Sequence, residues 1–243
     1  MNESRVDVLH LCWYVDLRKE PDDTAARWLA AARAHLPAAL PRRFGPTEPP
    51  RGRLDRDGDA GFRHAHSTAE TLLVHAGTPP TYGGTLGTAR QRSRIGPLTS
   101  HTLDVRLDAA DDPAVRGFFV AVADGGATLY ASASIRRQQI WTGRTLVSDG
   151  PPGEPYLAPL GEWLGLPQRA PHWAWLGSAY ARSVGRLLPR PVLTATGELR
   201  VQPPGWVPAE WVARLDEIDP ARRAAVRMPR GLRTPRWRLL LRR

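Results

Sequence analysis

Val8-Leu9-His10-Leu11-Cys12-Trp13-Tyr14-Val15 is the apolar run whose reading decides the fold. It is short and unbroken, so residues 6–16 read as a buried strand. Downstream, Asp22-Asp23-Thr24 supplies cap chemistry and the acidic residues that suit a helix start. A helix is predicted from Thr24 to Leu36. Trp28, Leu29, Ala32 and Leu36 recur at helical spacing and should face a core, and Pro37 and Pro41 end the helix.

The same order returns later. Asp111-Asp112-Pro113-Ala114-Val115-Arg116 matches Asp22-Asp23-Thr24-Ala25-Ala26-Arg27 at a constant offset of 89 residues. Before it, Leu103, Val105 and Leu107 alternate as a strand. Asp112-Pro113 places a cap ahead of a proline at the first helical position. Val115, Phe118, Phe119 and Val122 should face inward. Gly125-Gly126 closes the helix, and Ala127 to Ile135 reads as the next strand. Two strand–helix–strand units predict an α+β fold: a ferredoxin-like, mainly antiparallel sheet with helices on one face.

Between the units, residues 44–61 are rich in glycine and proline and read as irregular. Residues 69–76 read as a short strand or helical turn, and Thr78 to Gly84 as a loop. After Gly150 the texture changes to proline and tryptophan. The expected organisation is an α+β sheet domain at 1–149, with a Pro/Trp-rich region at 150–243 packed on it and ending in a basic segment, 222–243. In that region the aromatic stretch His172 to Tyr180 is predicted to lead into a helix reaching Leu188, and Val192 to Val201 to form a hairpin around Thr196-Gly197.

Composition narrows the class. Hydrophobic residues make up 42% and charged residues 24% of 243 residues, an ordinary globular balance. The one cysteine, Cys12, lies within the first apolar run, which predicts a packing role and rules out an intramolecular disulfide or a cysteine-built zinc site. The polar N-terminus does not resemble a signal peptide, and no stretch approaches the length of a membrane span. The expected location is the cytoplasm.

The net charge of +10 is unevenly placed. From Arg222 to Arg243 there are nine arginines and no acids. Without them, the remaining 25 of the 34 basic residues face 24 acidic ones. Arg230, Arg233, Arg236, Trp237, Arg238, Arg242 and Arg243 therefore form a candidate binding segment for phosphates or an acidic face, with Trp237 available for stacking. In Arg236 to Arg242 the arginines also alternate with apolar residues, the period of a half-buried strand. Arg90, Arg92 and Arg94, at spacing two, would line one face of a strand and suit phosphates or carboxylates; a solvated strand face is the alternative.

Asp55, Asp57 and Asp59, followed by His64 and His66, form the one metal candidate. The spacing resembles the start of a calcium loop, but the sixth position is Ala60 and the twelfth is His66, where such loops need Gly and Glu. Arg51, Arg53, Arg56 and Arg63 also neutralise the carboxylates locally, which favours a charged surface loop. No nucleophile elbow, phosphate-binding loop or dinucleotide fingerprint occurs, and no cofactor is implied.

Several of these features together resemble the bacterial polymorphic-toxin immunity proteins: the apolar strand, the Asp-rich helix start, the corner Arg43-Phe44-Gly45, the second unit ending at Gly126-Ala127-Thr128-Leu129-Tyr130, and the aromatic stretch Trp173 to Tyr180. The resemblance spans roughly residues 6–180 and is architectural. It implies a protein that binds and blocks a toxin without catalysis; the basic tail lies outside the pattern. The leading expectation is a non-catalytic cytoplasmic protein-binding module, in an immunity or defence-system accessory role. The alternatives are a nucleic-acid-binding accessory subunit using the arginine-rich segment, and a metal-dependent nuclease built on the Asp/His set. The sequence leaves the oligomeric state open.

Overall fold

The computed structural model describes residues 4–16, 23–88, 98–143, 145–147, 171–178, 181 and 190–201. Among these, eleven strands join one antiparallel sheet, accompanied by three α-helices. The strands are β1 (Ser4–Asp16), β2 (Arg43–Gly45), β3 (Gly52–Arg53), β4 (Thr71–His75), β5 (Thr81–Gly87), β6 (Leu98–Arg106), β7 (Thr128–Trp141), β8 (Leu146–Val147), β9 (Trp173–Gly177), β10 (Val192–Leu193) and β11 (Gly197–Val201). The helices are α1 (Thr24–His35), α2 (Leu54–Thr68) and α3 (Pro113–Gly125). The sheet order is β10-β11-β9-β7-β1-β6-β5-β4-β2-β3, with β8 hairpinned onto β7. The class is α+β and the sheet antiparallel, as the sequence indicates.

β1 explains why its sequence reads as an unbroken apolar run. It is the central strand, paired with β6 on one side and β7 on the other. Leu9, Leu11, Trp13 and Val15 enter the main core, while Val8, His10 and Cys12 are buried on the opposite side. Because β6 and β7 both run antiparallel to β1, they are parallel to each other, with α3 between them in sequence. They form a split β-α-β unit around β1. α1, by contrast, is followed by β2, β3, α2 and β4 before β5 reaches β6.

The helices pack on the side of the sheet that carries Trp13. Trp28 of α1 lies 5.7 Å from Trp13 edge-on, and Phe118 and Phe119 of α3 lie 6.0 and 5.5 Å away. The Trp13 indole N–H donates to the Phe119 carbonyl at 3.0 Å, so its polar atom is satisfied in the core. Trp28, Leu29, Ala32 and Leu36 are all buried, as helical spacing predicts.

Several readings need correction. Residues 44–61 are not irregular throughout: they contain the β2–β3 corner and the start of α2. α2 is held by Phe62, which meets Phe44 edge-on at 5.1 Å. Thr81 to Gly84 belongs to β5 rather than to a loop, and β7 extends six residues past Ile135. The aromatic stretch from Trp173 is strand β9. Asp112 caps α3 by accepting from the Ala114 amide, but the Asp23 carboxylate accepts from Arg27 instead of a helix amide. Gly126 closes α3 in extended rather than left-handed backbone.

The predicted hairpin at 192–201 is present, as β10 and β11. Asp124 of α3 anchors it: its carboxylate accepts from the Ala195 and Thr196 amides, the Thr194 and Thr196 hydroxyls and the Trp175 indole, at 2.8–3.3 Å. Among the described residues, no helix is long and apolar enough to cross a membrane.

Candidate functional site

The sheet face away from the helices carries a polar row set by strand register. Ser134, His10, Asp104, Gly83, His75 and Arg43 are successive cross-strand neighbours on β7, β1, β6, β5, β4 and β2. Two imidazole–carboxylate pairs stand on this row. His10 Nδ1 lies 2.7 Å from Asp104 Oδ1, and His75 Nε2 lies 3.1 Å from Glu48 Oε2. Between them Gly83 contributes no side chain, and a Cβ there would come within 2.6 Å of the Val74 carbonyl oxygen. The pairs are two ladder steps apart, about 10 Å.

A β-bulge turns a ring over this gap. The register shifts between Thr81 and Gly83, making Tyr82 the extra residue on β5. A second bulge, between Val6 and Val8, bends the outer part of β1 and β7. There the Asp7 carboxylate accepts from the Gln138 amide and the Arg137 guanidinium, and Gln138 adopts φ 57°. Trp141 pairs with Ser4, five residues along β1 from Leu9. In a flat sheet it would be on the order of 20 Å from Tyr82. Instead the two ring centroids are 4.9 Å apart. The outer end of β7, with β8, therefore arches back over the sheet face opposite α1 and α3.

The result is a cleft of about 180 Å³ between the sheet and the β7–β8 arm. Its walls include Tyr82, Trp141, Glu48, His75, Thr102 and Asp104. Burial holds the Tyr82 phenol above its ordinary pKa, with Arg106 pulling the other way. The Thr85 and Thr102 hydroxyls bond to each other at 2.9 Å, and the Thr102 hydroxyl also accepts from the Thr85 amide.

None of the binding residues singled out in the sequence is among the described residues that line this cleft. Arg90, Arg92 and Arg94, and Arg230, Arg233, Arg236, Trp237, Arg238, Arg242 and Arg243, lie outside the described residues. The cleft residues come from strands distant in sequence. The one local signal was Trp141 itself, an aromatic after the polar run Arg136-Arg137-Gln138-Gln139.

The Asp/His set is described, and it sits on α2 rather than on a loop. His64 and His66, two apart on the helix, point to different sides, while Gly58, at φ 62°, kinks α2 between Asp57 and Asp59. Each carboxylate is engaged by arginine: Asp55 by Arg53 at 2.5 Å, Asp57 by Arg56 at 2.7 Å and Asp59 by Arg33 at 2.6 Å. His66 is buried against the Gly87 carbonyl, whereas His64 is exposed. Among the described residues, no group of three or more metal-ligating side chains is placed to hold an ion.

Asp57 also accepts from the Arg53 amide at the start of α2. The Arg56 guanidinium and that amide hold its carboxyl at about 2. Because this lies below the ordinary carboxylate value, the stabilisation is present above about pH 4. It is lost as pH falls through 2. Asp57→Asn should therefore be less stable than the parent at pH 5–7, with the difference shrinking toward pH 2 in urea titrations. A difference that persists unchanged at pH 2 would contradict this account of the α2 start.

No family model and no curated protein matches the sequence. Among solved structures, the chain is similar to Pseudomonas aeruginosa T6SS protein PA0821, with a TM-score of 0.49 and 13% sequence identity. The alignment covers 81% of this chain and 65% of that one, so the chain spans just under two thirds of its length.

Proposed function

We propose that this chain is a non-catalytic binding protein whose partner is another protein, held at the cleft beneath the β7–β8 arm. The observation that carries this reading is the pairing of Tyr82 and Trp141, two large rings brought together over the concave sheet face opposite α1 and α3. Aromatic side chains with a polar surround are the usual anchors of protein interfaces. The cleft hydroxyls support binding over covalent chemistry, since Thr85 and Thr102 bond to one another and neither is bonded to an imidazole that would activate it. A cytoplasmic immunity or defence-accessory role, with a toxin as the bound protein, is the finer form of this reading. We also read the sheet core as ferredoxin-like, because the order β5-β6-β1-β7 with α1 and α3 on one face is what two interleaved split units produce.

The test begins with capture from nuclease-treated extract of the source cells. The captured protein is then made pure and titrated against the parent chain and Trp141→Ala. The expected result is a stoichiometric complex whose affinity falls about tenfold or more in the variant. Equal affinity in the variant, or turnover of the partner by the chain, would overturn the reading.

A second reading rests on the nine arginines of residues 222–243: a basic segment that binds nucleic acid. It predicts DNA or RNA affinity that falls steeply between 50 and 200 mM salt, by about 10³-fold or more if six or more phosphates are contacted. Removal of 222–243 should abolish it. Affinity indifferent to salt and to truncation would exclude this reading.

A further inference from the structure

We infer that the cleft receives one cationic side chain, arginine or lysine, from the bound protein; this rests on the partner-binding reading above. Charge favours a cation. In a chain with 34 Lys and Arg against 24 Asp and Glu, the described residues lining the cleft include Glu48 and Asp104 and neither arginine nor lysine. The described lining thus carries acidic groups in a chain that is basic as a whole.

Geometry favours it too. Asp104 gives Oδ1 to His10 and Glu48 gives Oε2 to His75. Neither pairing uses the other oxygen of its carboxylate, and the Asp104 and Glu48 side chains are 20% and 43% exposed. Gly83, between the two pairs along the ladder, also lines the cleft. A guanidinium or ammonium there would meet an acidic group on either side, each able to accept a charge-assisted hydrogen bond.

The wall of the cleft is aromatic. Tyr82 and Trp141, tilted 56° to one another, present ring surface to the same space, and a cation over such a face gains further attraction. The size agrees. About 180 Å³ is below the ~300–1,000 Å³ of sites for drug-sized ligands, and matches a single inserted side chain.

The test titrates the full-length chain with N-acetyl-arginine methylamide and with its neutral counterpart, N-acetyl-citrulline methylamide, by NMR line shifts. The arginine probe should bind in the millimolar range, at least tenfold tighter than the citrulline probe. Binding should weaken at high salt and be lost in Asp104→Asn and in Trp141→Ala. Glu48→Gln serves in place of Asp104→Asn if that variant misfolds by circular dichroism. Equal binding of both probes, or arginine binding unchanged in the folded variants, would overturn the cationic occupant.

The two readings fail separately. If neither probe binds but Trp141→Ala still releases the captured partner, the cleft is an interface and the cationic occupant is wrong. If arginine binds as expected but the partner is indifferent to Trp141→Ala, the subsite stands and the partner-binding reading fails.

Discussion

Trp13→Ala is expected to cost about 4 kcal/mol, within the ~3–5 kcal/mol range for removing a buried tryptophan. Trp13 is fully buried on the central strand, three residues before its end. It touches both α1, through Trp28, and α3, through Phe118 and Phe119. The substitution opens a space that three rings line, and the rings cannot all collapse into it while the helices keep their seats. It also leaves the Phe119 carbonyl without the donor it has at 3.0 Å. A loss of this size is a large fraction of a typical domain's stability, so the variant should unfold at much lower denaturant. Trp13→Phe keeps part of the volume and should lose roughly half as much. Urea unfolding followed by circular dichroism gives the result. A midpoint within experimental scatter of the parent would mean that Trp13 does not join sheet and helices as described.

Asp124→Ala should cost about 3 kcal/mol, an effect concentrated in one corner of the fold. The carboxylate gathers five donors from the β10–β11 turn and from Trp175. Hydrogen bonds to a charged acceptor contribute about 1.5–3 kcal/mol each, but water replaces part of the loss, because Ala195 and Thr196 are exposed. Asp124→Asn, which keeps an acceptor oxygen, should lose less. The distinguishing measurement is amide hydrogen exchange. Ala195, Thr196 and Gly197 should exchange much faster in Asp124→Ala, while β1 and β6 amides stay protected. Uniform acceleration across the sheet would show a global effect instead of a lost anchor.

How much of this was legible in the sequence depended on how far apart the deciding residues lie. β1, α1 and α3 were readable because their burial follows a local period: alternate or continuous burial along β1, and every third or fourth residue in the helices. α2 was hidden because its sequence, Asp55-Arg56-Asp57-Gly58-Asp59, looks like a loop, and Gly58 does take φ 62° inside it. Only Phe62 and His66 of α2 are buried, too few to print a stripe. β5 was hidden by Gly83-Gly84, whose small size reads as a loop signal. There it is a packing requirement, because a Cβ at Gly84 would sit 1.9 Å from the Thr102 carbonyl oxygen. The outer half of β7 was masked by polar residues that face solvent along the arm. The cleft was not legible at all. It depends on two bulges and on the register of β4, β5, β6 and β7, and neither is written in any one stretch. The Asp/His set shows the converse, since spacing suggested a shared ligand where each carboxylate is taken up by an arginine and His66 is buried.

In the proposed function, the sheet face opposite α1 and α3, beneath the β7–β8 arm, is the surface this protein presents to its partner. Hydrogen exchange of the chain, free and saturated with the captured protein, tests it most directly. Slowed exchange at Tyr82 to Thr85 and at Trp141 to Leu146 is the predicted result. Protection confined to the helix side of the sheet, with both of those stretches unchanged, would contradict it.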